Sequence, residues 1–493
     1  MKETILLLPN QLFEKKYKNA KIYLYEHPVF FTKYNYHKKK LAYHRATMKS
    51  YANYLEKECK CDVEYVEFRT EPETLYKKFK NSNITIYDPC DFDILHELEN
   101  YRKKHNIKFN VLQNELFILT TDDIKSYIDE VGTYNNAVFY KWIRKEKDIL
   151  MNKDKPINGK WSYDTENREP FPKNFSTDVK LEYGNSKYEK EAYDYIDKYF
   201  KNNLGDVKIY LPITHEDAKK HLMKFLKYRL DNFGKYEDAC SENINFGYHS
   251  ILSAMLNIGL ISPIYVIEQT TKYINKVSYA SIEGFVRQIV SWREYVRMLY
   301  QLEHKKFIKD NFFNHKRHIN KSWYDGTTGI APIDHLIKKA LNLSYLHHIE
   351  RLMHIGNFML LNMFSPKEVL EWFISVVSID AYQWVMEPNV YGMSQFSVGN
   401  LMMTRPYFSS SNYIDKMSTF KKKKDKYDKI KINKEEYEWF EIWDVLYYYF
   451  IYNNKTYLKT NYATANSVKL WNNKAKKEQN NIIKIAREYL KKY

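Results

Sequence analysis

Apolar residues follow two rhythms along this chain. Between residue 4 and about 115, short apolar runs alternate with stretches whose apolar positions recur every three or four residues. The runs TILL (4–7), KIYLYE (21–26), VEYVEF (63–68), ITIYDP (84–89) and FNVLQ (109–113) are short and rich in β-branched and aromatic residues, which predicts buried strands. The segments 37–60, 71–80 and 92–105 between them carry helical spacing. Strand–helix alternation of this kind implies a doubly wound, mostly parallel sheet. Ligands of such sheets sit beyond the carboxyl ends of the strands, so the loop Pro9-Asn10-Gln11-Leu12 is a candidate site. It holds no Gly-rich phosphate fingerprint, which disfavours an ordinary dinucleotide fold.

From about 130 to 212 the pattern turns polar and is punctuated by Pro156, Gly159, Pro170, Pro172 and Gly184. This predicts a long connector without regular structure, a length usually tied to function or to wrapping another unit. Beyond residue 215 the spacing is helical nearly to the end, over 215–230, 251–260, 264–274, 282–301, 333–343, 346–363, 366–377 and 437–452. A Lys-rich stretch at 421–434 interrupts it and is expected to be a solvated loop. No internal repeat is evident. The expected division is 1–129, an α/β unit; 130–212, a connector; and 213–493, an all-helical unit.

Composition narrows the classes. With 493 residues and 44% hydrophobic residues, the chain can build real cores, which excludes wholesale disorder. No stretch approaches a membrane span of roughly 20 apolar residues, and the opening residues lack the pattern of a secretory signal. Four cysteines (Cys59, Cys61, Cys90, Cys240) are too few and scattered for a disulfide framework, so an intracellular, reducing compartment is expected. The formal charge of +17 suits a polyanionic partner. Tyrosine is abundant together with Lys, Asn and Ile, as A+T-rich codons would give, but that bias does not explain nine tryptophans.

Three segments carry candidate chemistry. In His249-Ser250-Ile251-Leu252-Ser253 through Gly259, hydroxyl residues enter a helix, where backbone N–H groups can hold an anion. In Glu283 through Arg297, Phe285, Ile289, Trp292 and Val296 share an apolar face, with Gln288 close to it and Arg293 offering a planar fork to a carboxylate or phosphate. In Leu346-His347-His348-Ile349-Glu350-Arg351-Leu352-Met353, adjacent histidines point about 100° apart on a helix, so they do not chelate one metal easily; one can face a pocket while the other packs behind it. Histidine is the side chain best placed to exchange a proton near neutral pH. Each segment alone fits ordinary packing.

Taken in order, the three resemble the photolyase/cryptochrome superfamily, and most closely its prokaryotic (6-4) photolyase and iron–sulfur cryptochrome branch. The superfamily's Thr/Ser-Ser-x-Leu-Ser-x-x-Leu-x-x-Gly pattern is answered by His249-Ser250-x-Leu252-Ser253-x-x-Leu256-x-x-Gly259. Tyr382-Gln383-Trp384-Val385, Pro388 through Gln395, Pro406-Tyr407, Asn412-Tyr413-Ile414, Phe139-Tyr140, Gly159-Lys160-Trp161 and Glu166-Asn167-Arg168 also match, so the resemblance spans about residues 4–420. It implies an α/β antenna domain and a helical domain enclosing FAD. By resemblance, His249, Ser250, Leu252 and Ser253 hold the FAD phosphates and ribityl chain, while Gln288, Arg293, Asp380 and Trp384 line the flavin. His348 corresponds to the proton donor to a (6-4) lesion, with His347 and Arg351 supporting it and Tyr407 and Tyr413 on the lesion side. Trp372 is the expected first electron donor, and the Asn10-Gln11 loop the expected holder of a 6,7-dimethyl-8-ribityllumazine antenna.

The chain also departs from that branch. Its four cluster-binding cysteines fall here on Pro332, Lys421, Lys424 and near Glu436, so no iron–sulfur cluster is expected and no metal residue is assigned. Where relatives carry a second tryptophan, this sequence offers Tyr324 with Trp323 beside it, and tyrosine donates an electron only if it also loses its proton. Asn10 stands where relatives commonly have Asp, which removes a charge from the antenna loop. The expected activity is light-driven repair of UV-damaged DNA by a monomer working wherever the DNA resides, without a membrane. The alternatives are a cryptochrome-like photoreceptor, a cyclobutane-dimer photolyase and, least in keeping with the ordered motifs, a plain basic nucleic-acid-binding protein.

Overall fold

Strand β1 (Thr4–Leu7) is apolar at every position after its first because it lies at the centre of a sheet covered on both faces. In this computed structural model, which describes residues 2–175, 178–181 and 183–493, β1 pairs in parallel with β2 (Lys21–Tyr25) and β4 (Asn83–Tyr87). β3 (Asp62–Val66) and β5 (Lys108–Leu112) close the edges, giving the order β3-β2-β1-β4-β5, parallel throughout. The order reverses between β1 and β4, so the loops after residues 7 and 87 flank the topological switch point. All five strands lie within one residue of their expected starts. The helices Lys38–Lys57, Pro72–Lys77 and Phe92–His105 alternate with them.

The helix Lys38–Lys57 reaches well beyond the sheet it covers. His37 caps it, Nδ1 accepting from the Lys39 N–H at 3.0 Å, while its Nε2 lies 2.8 Å from the Leu341 carbonyl in the helical half. One turn on, fully buried Lys40 donates to the Ala381 carbonyl and lies 4.2 Å from the Tyr382 ring centroid.

The stretch after residue 130 is not the structureless connector expected. It holds the helices Asn136–Glu146 and Lys187–Tyr199 and a small hairpin, Met151–Asn152 with Lys155–Pro156. The reason is local: Asn135 and Ser186 are N-caps, the latter in a capping box with Glu189, and each helix has an apolar face. Ser176, Thr177 and Glu182 of this stretch lie outside the described residues.

The helical half follows its periodicity with three exceptions. The span 282–301 is broken by a π turn, Gln288–Trp292, between the helices Tyr279–Arg287 and Arg293–Lys309. The span 346–363 is not one helix either: helical structure begins at His348, so His347 precedes it, and the π turn Glu350–Gly356 leads into Asn357–Leu361. A third π turn, Pro388–Ser394, follows Gln383–Glu387. Such turns are rare and occur frequently at functional sites. The Lys-rich segment ends in structure, with Ile430–Ile432 pairing with Glu435–Tyr437 and Ile430 and Ile432 both buried. Among the described residues, no helix is long and apolar enough to cross a membrane.

Candidate flavin and lesion site

Four segments converge on Asp380. Ser253, the first residue of the short helix Ser253–Ile258, makes no capping bond; its hydroxyl donates to Asp380 Oδ2 at 2.6 Å. Arg351 Nη2 donates to both Asp380 carboxylate oxygens at 2.9 Å, and Arg351 Nε to the Leu346 carbonyl at 2.7 Å. Asn257 donates to the Asp380 backbone carbonyl at 2.8 Å and accepts from Arg293. Arg293 in turn stacks its guanidinium 4.7 Å over Trp384, which meets Phe117 edge-on at 4.8 Å. The sequence motifs thus meet through Asp380, and Asn257 and Phe117 join them unannounced: Asn257 occupies a variable position of its motif, and Phe117 sits in an irregular segment.

The turn before Ser253 is held open rather than helical. His221 Nε2 lies 2.8 Å from the Ser250 carbonyl, Arg229 donates to the His249 carbonyl, and β-branched Ile251 is held at φ +60°. A β-branched residue in the left-handed region costs about 1–3 kcal/mol and is tolerated where the surroundings over-determine it. The result leaves Ser250 and Ser253 half-buried, while Leu252 packs beneath, fully buried.

Several buried polar atoms here have no partner: His249 Nε2, His347 Nδ1, His354 Nε2, Arg293 Nε and Trp384 Nε1. Buried polar atoms are normally paired, so these leave bonds for a ligand or ordered water to complete. The surroundings are donor-rich and include the Trp384 and Phe117 rings, a chemistry that fits the phosphates and ring of FAD, which His249, Ser250, Ser253, Arg293, Asp380 and Trp384 would hold; Gln288 opens the π turn before Arg293.

The two adjacent histidines differ in exposure. His348 is exposed, and its pKa is lowered to about 4, by the surrounding protein first and by Arg351 second. His347 is buried and stacks on His249 with ring centroids 4.4 Å apart. Tyr413 lies 6.4 Å from His354, whereas half-buried Tyr407 lies under Arg405 and makes no ring contact with these histidines. Behind His347 sit Cys240, Glu350 and Lys339, none of which the sequence singled out.

Trp372 and Trp323 are brought together: the Trp372 indole N–H donates to the Trp323 carbonyl at 2.7 Å, and their rings meet edge-on at 6.3 Å. Tyr324 is half-buried, with its pKa raised by burial and by Glu368 and Glu371, and among the described residues it makes no ring contact with Trp372. Trp323 also faces Phe358 at 6.1 Å, which lies 4.6 Å from Trp443.

The antenna loop is a different matter. Gln11 is consumed by structure, its Oε1 accepting from the Leu8 N–H at 3.1 Å and its Nε2 donating to the Tyr87 carbonyl at 3.2 Å. Asn10 Oδ1 is buried and free, but the void beside Gln11 is about 10 Å³, lined by Leu6, Leu8, Tyr76 and Tyr87. That is about one water. Of the positions matched to cluster ligands, Pro332 is apolar, Lys421, Lys424 and Glu436 are exposed and charged, and none supplies a thiolate.

A parallel antenna-type sheet joined to a helical half that closes on an aspartate–arginine centre is the photolyase/cryptochrome fold. The Synechocystis sp. PCC6803 cryptochrome superposes with a TM-score of 0.60 at 15% identity, over 84% of this chain and 88% of that one. An archaeal photolyase from Sulfolobus tokodaii, solved with two FAD molecules, gives 0.52 at 15% identity, over 84% and 87%. In sequence, residues 5–210 match the family described as deoxyribodipyrimidine photo-lyase-related protein, and a (6-4) photolyase of Agrobacterium fabrum is 28% identical over 93% of this chain and 91% of its own length. Residues 5–210 carry this photolyase-related family's pattern, and the chain as a whole shares the fold of photolyases and cryptochromes.

Proposed function

We propose that the protein is a light-driven DNA repair flavoprotein of the (6-4) photolyase kind. The observation that carries the reading is His348, exposed one turn from the Arg351–Asp380 pair, with the stacked His249 and His347 rings, each holding an unpartnered buried nitrogen, behind it. Bound FAD supplies absorption of blue light and a one-electron donor. His249, Ser250 and Ser253, above buried Leu252, hold its phosphates and ribityl chain; Gln288, Arg293, Asp380 and Trp384 orient the ring. The lowered pKa of His348 favours its neutral form in the protein alone, and negative charge brought beside it raises its proton affinity and makes it an acid toward the lesion. Arg351 fixes the turn that carries it, and Tyr407 and Tyr413 stand on the lesion side. Trp372 and Trp323 form the inner electron path, with Tyr324 and its costlier proton loss a poorer outlet. The charge of +17 suits the strand that must be held while a damaged base is flipped out.

The test is repair of two oligonucleotides, one with a (6-4) photoproduct and one with a cyclobutane dimer, by reduced protein in light and in darkness. Light-dependent restoration of the (6-4) strand is expected, and His348→Ala is expected to abolish it while FAD absorbance persists. Full repair by that variant overturns the role of His348. Restoration of the dimer alone makes the protein a cyclobutane-dimer photolyase, and no repair by a photoreducible holoprotein makes it a photoreceptor.

A further inference from the structure

Behind the histidine pair lies a fully buried charge cluster. Lys339, on the helix Ala331–Leu343, approaches Glu350 Oε1 at 2.7 Å, and both side chains are 3% exposed or less. The same oxygen accepts the Cys240 thiol at 3.5 Å and faces His347 Nε2 at 3.4 Å, while Glu350 Oε2 accepts the His347 main-chain N–H at 3.1 Å. Cys240, His347 and Glu350 offer ligand atoms within 4.8 Å of one another, the spacing of a metal site. The Lys339 ammonium already stands against the carboxylate oxygen that such an ion would use, so the cluster carries its cation in the chain.

We propose that Lys339 and Glu350 are positioning residues for the histidine pair, setting the tautomer and orientation of His347 and thereby the placement of His348. An ionised carboxylate only accepts hydrogen bonds, so the His347 nitrogen facing it, Nε2, carries the hydrogen. Nδ1, buried without a partner, is then left as an acceptor. The main-chain bond to Glu350 fixes the residue where the helix begins, and the His347 carbonyl accepts from the Arg351 N–H at 3.1 Å. His348, the next residue, is thereby aimed.

Lys339 supplies the charge balance. A bare carboxylate beside an imidazole draws a proton onto it, and an ammonium on the same oxygen cancels that pull. The other groups facing His347 act in the same direction: His249 from the turn before Ser253, and His348 and His354 from its own turn, each disfavour a proton there, as does burial. The Cys240 thiol, its pKa pushed well up by burial, stays neutral. His347 therefore remains an uncharged ring stacked on His249.

Only the catalytic consequence rests on the repair reading, so the test reads the ring itself. In FAD-loaded protein labelled with ¹⁵N-histidine, with His347 assigned from its loss in His347→Gln, the Nε2–H tautomer is expected and no protonation near neutral pH. Lys339→Met should raise the His347 titration by about one pH unit or more. Lys339→Met combined with Glu350→Gln should return it to the wild-type value, and Lys339→Arg should leave it unmoved. An Nδ1–H tautomer in the wild type, a measurement that needs no variant to fold, overturns the proposal, as does an unchanged titration in folded Lys339→Met. The pH profile of light-driven repair should move in parallel with the ring; absence of repair in the wild type with the titrations as expected would sink the repair reading and leave the positioning pair standing.

Discussion

Asp380 is the residue on which the most bonds of the site depend, and the bare sequence marks it only through the family resemblance. It accepts from Ser253 and twice from Arg351, and its carbonyl takes Asn257. Asp380→Asn keeps the size and loses the charge that holds Arg351, so a cost of about 2–3 kcal/mol is expected in denaturant unfolding, with weaker retention of FAD through gel filtration. Wild-type stability and flavin retention in that variant would remove Asp380 from the centre of the site. The sequence names His249, Ser253, Arg293, Arg351 and Trp384 because they fall in ordered motifs. It is silent on Lys339, Glu350 and Cys240 because Lys339 and Glu350 sit on different elements, Cys240 lies 110 residues from Glu350, and no periodicity encodes their meeting.

At the scale of elements, the sheet was legible because every inner strand is a short apolar run and covering helices give a different period. The helices Asn136–Glu146 and Lys187–Tyr199 were hidden by the Pro and Gly residues between them, although their capping residues were in plain view. The π turns were not legible at all, since one extra residue per turn leaves no mark in composition. The Lys-rich stretch hid a structural role of its own end. The hairpin strand Ile430–Ile432 packs its isoleucines beneath the C-terminal helix Lys476–Lys492, whose Lys492 donates to the Lys431 carbonyl at 2.7 Å and whose Glu488 accepts from Asn433 at 2.8 Å. Ile430→Ala is expected to cost about 2–4 kcal/mol, since it empties a fully buried position, and Lys423→Ala in the exposed part of the same stretch almost nothing. Equal unfolding midpoints for the two would show that the hairpin is peripheral.

The whole molecule keeps many histidines neutral by burying them. His37, His221, His315 and His354 are lowered to about 4 and His249 to about 3, burial being the first cause in each. Unfolded histidine titrates at about 6.5, so below that pH the unfolded chain takes up protons that the folded one refuses. The stability these groups contribute is complete above about pH 6.5 and is lost as the pH falls toward 4. The half-buried carboxyls Glu237, raised to about 8, and Asp238, raised to about 6, act in the opposite sense, as do Glu26, Asp91, Glu294, Asp334 and Glu387, raised by burial, but with His44, His215, His335, His347 and His348 also lowered the histidines outnumber them. A loss of several kcal/mol between pH 6.5 and 4.5 is expected in urea titrations; a flat profile would mean that these rings are hydrated in solution.

One further consequence belongs to the first turn of the helix Lys38–Lys57. His37 lies against Leu341 and Lys40 holds the carbonyl next to Asp380, so a piece of the sheet-bearing half forms the back wall of the site in the other half. The two halves are then not interchangeable modules. Recombination that exchanged one α/β half for another would have to carry this turn with it, and the partners it grips, or deliver a catalytic half with its foundation removed.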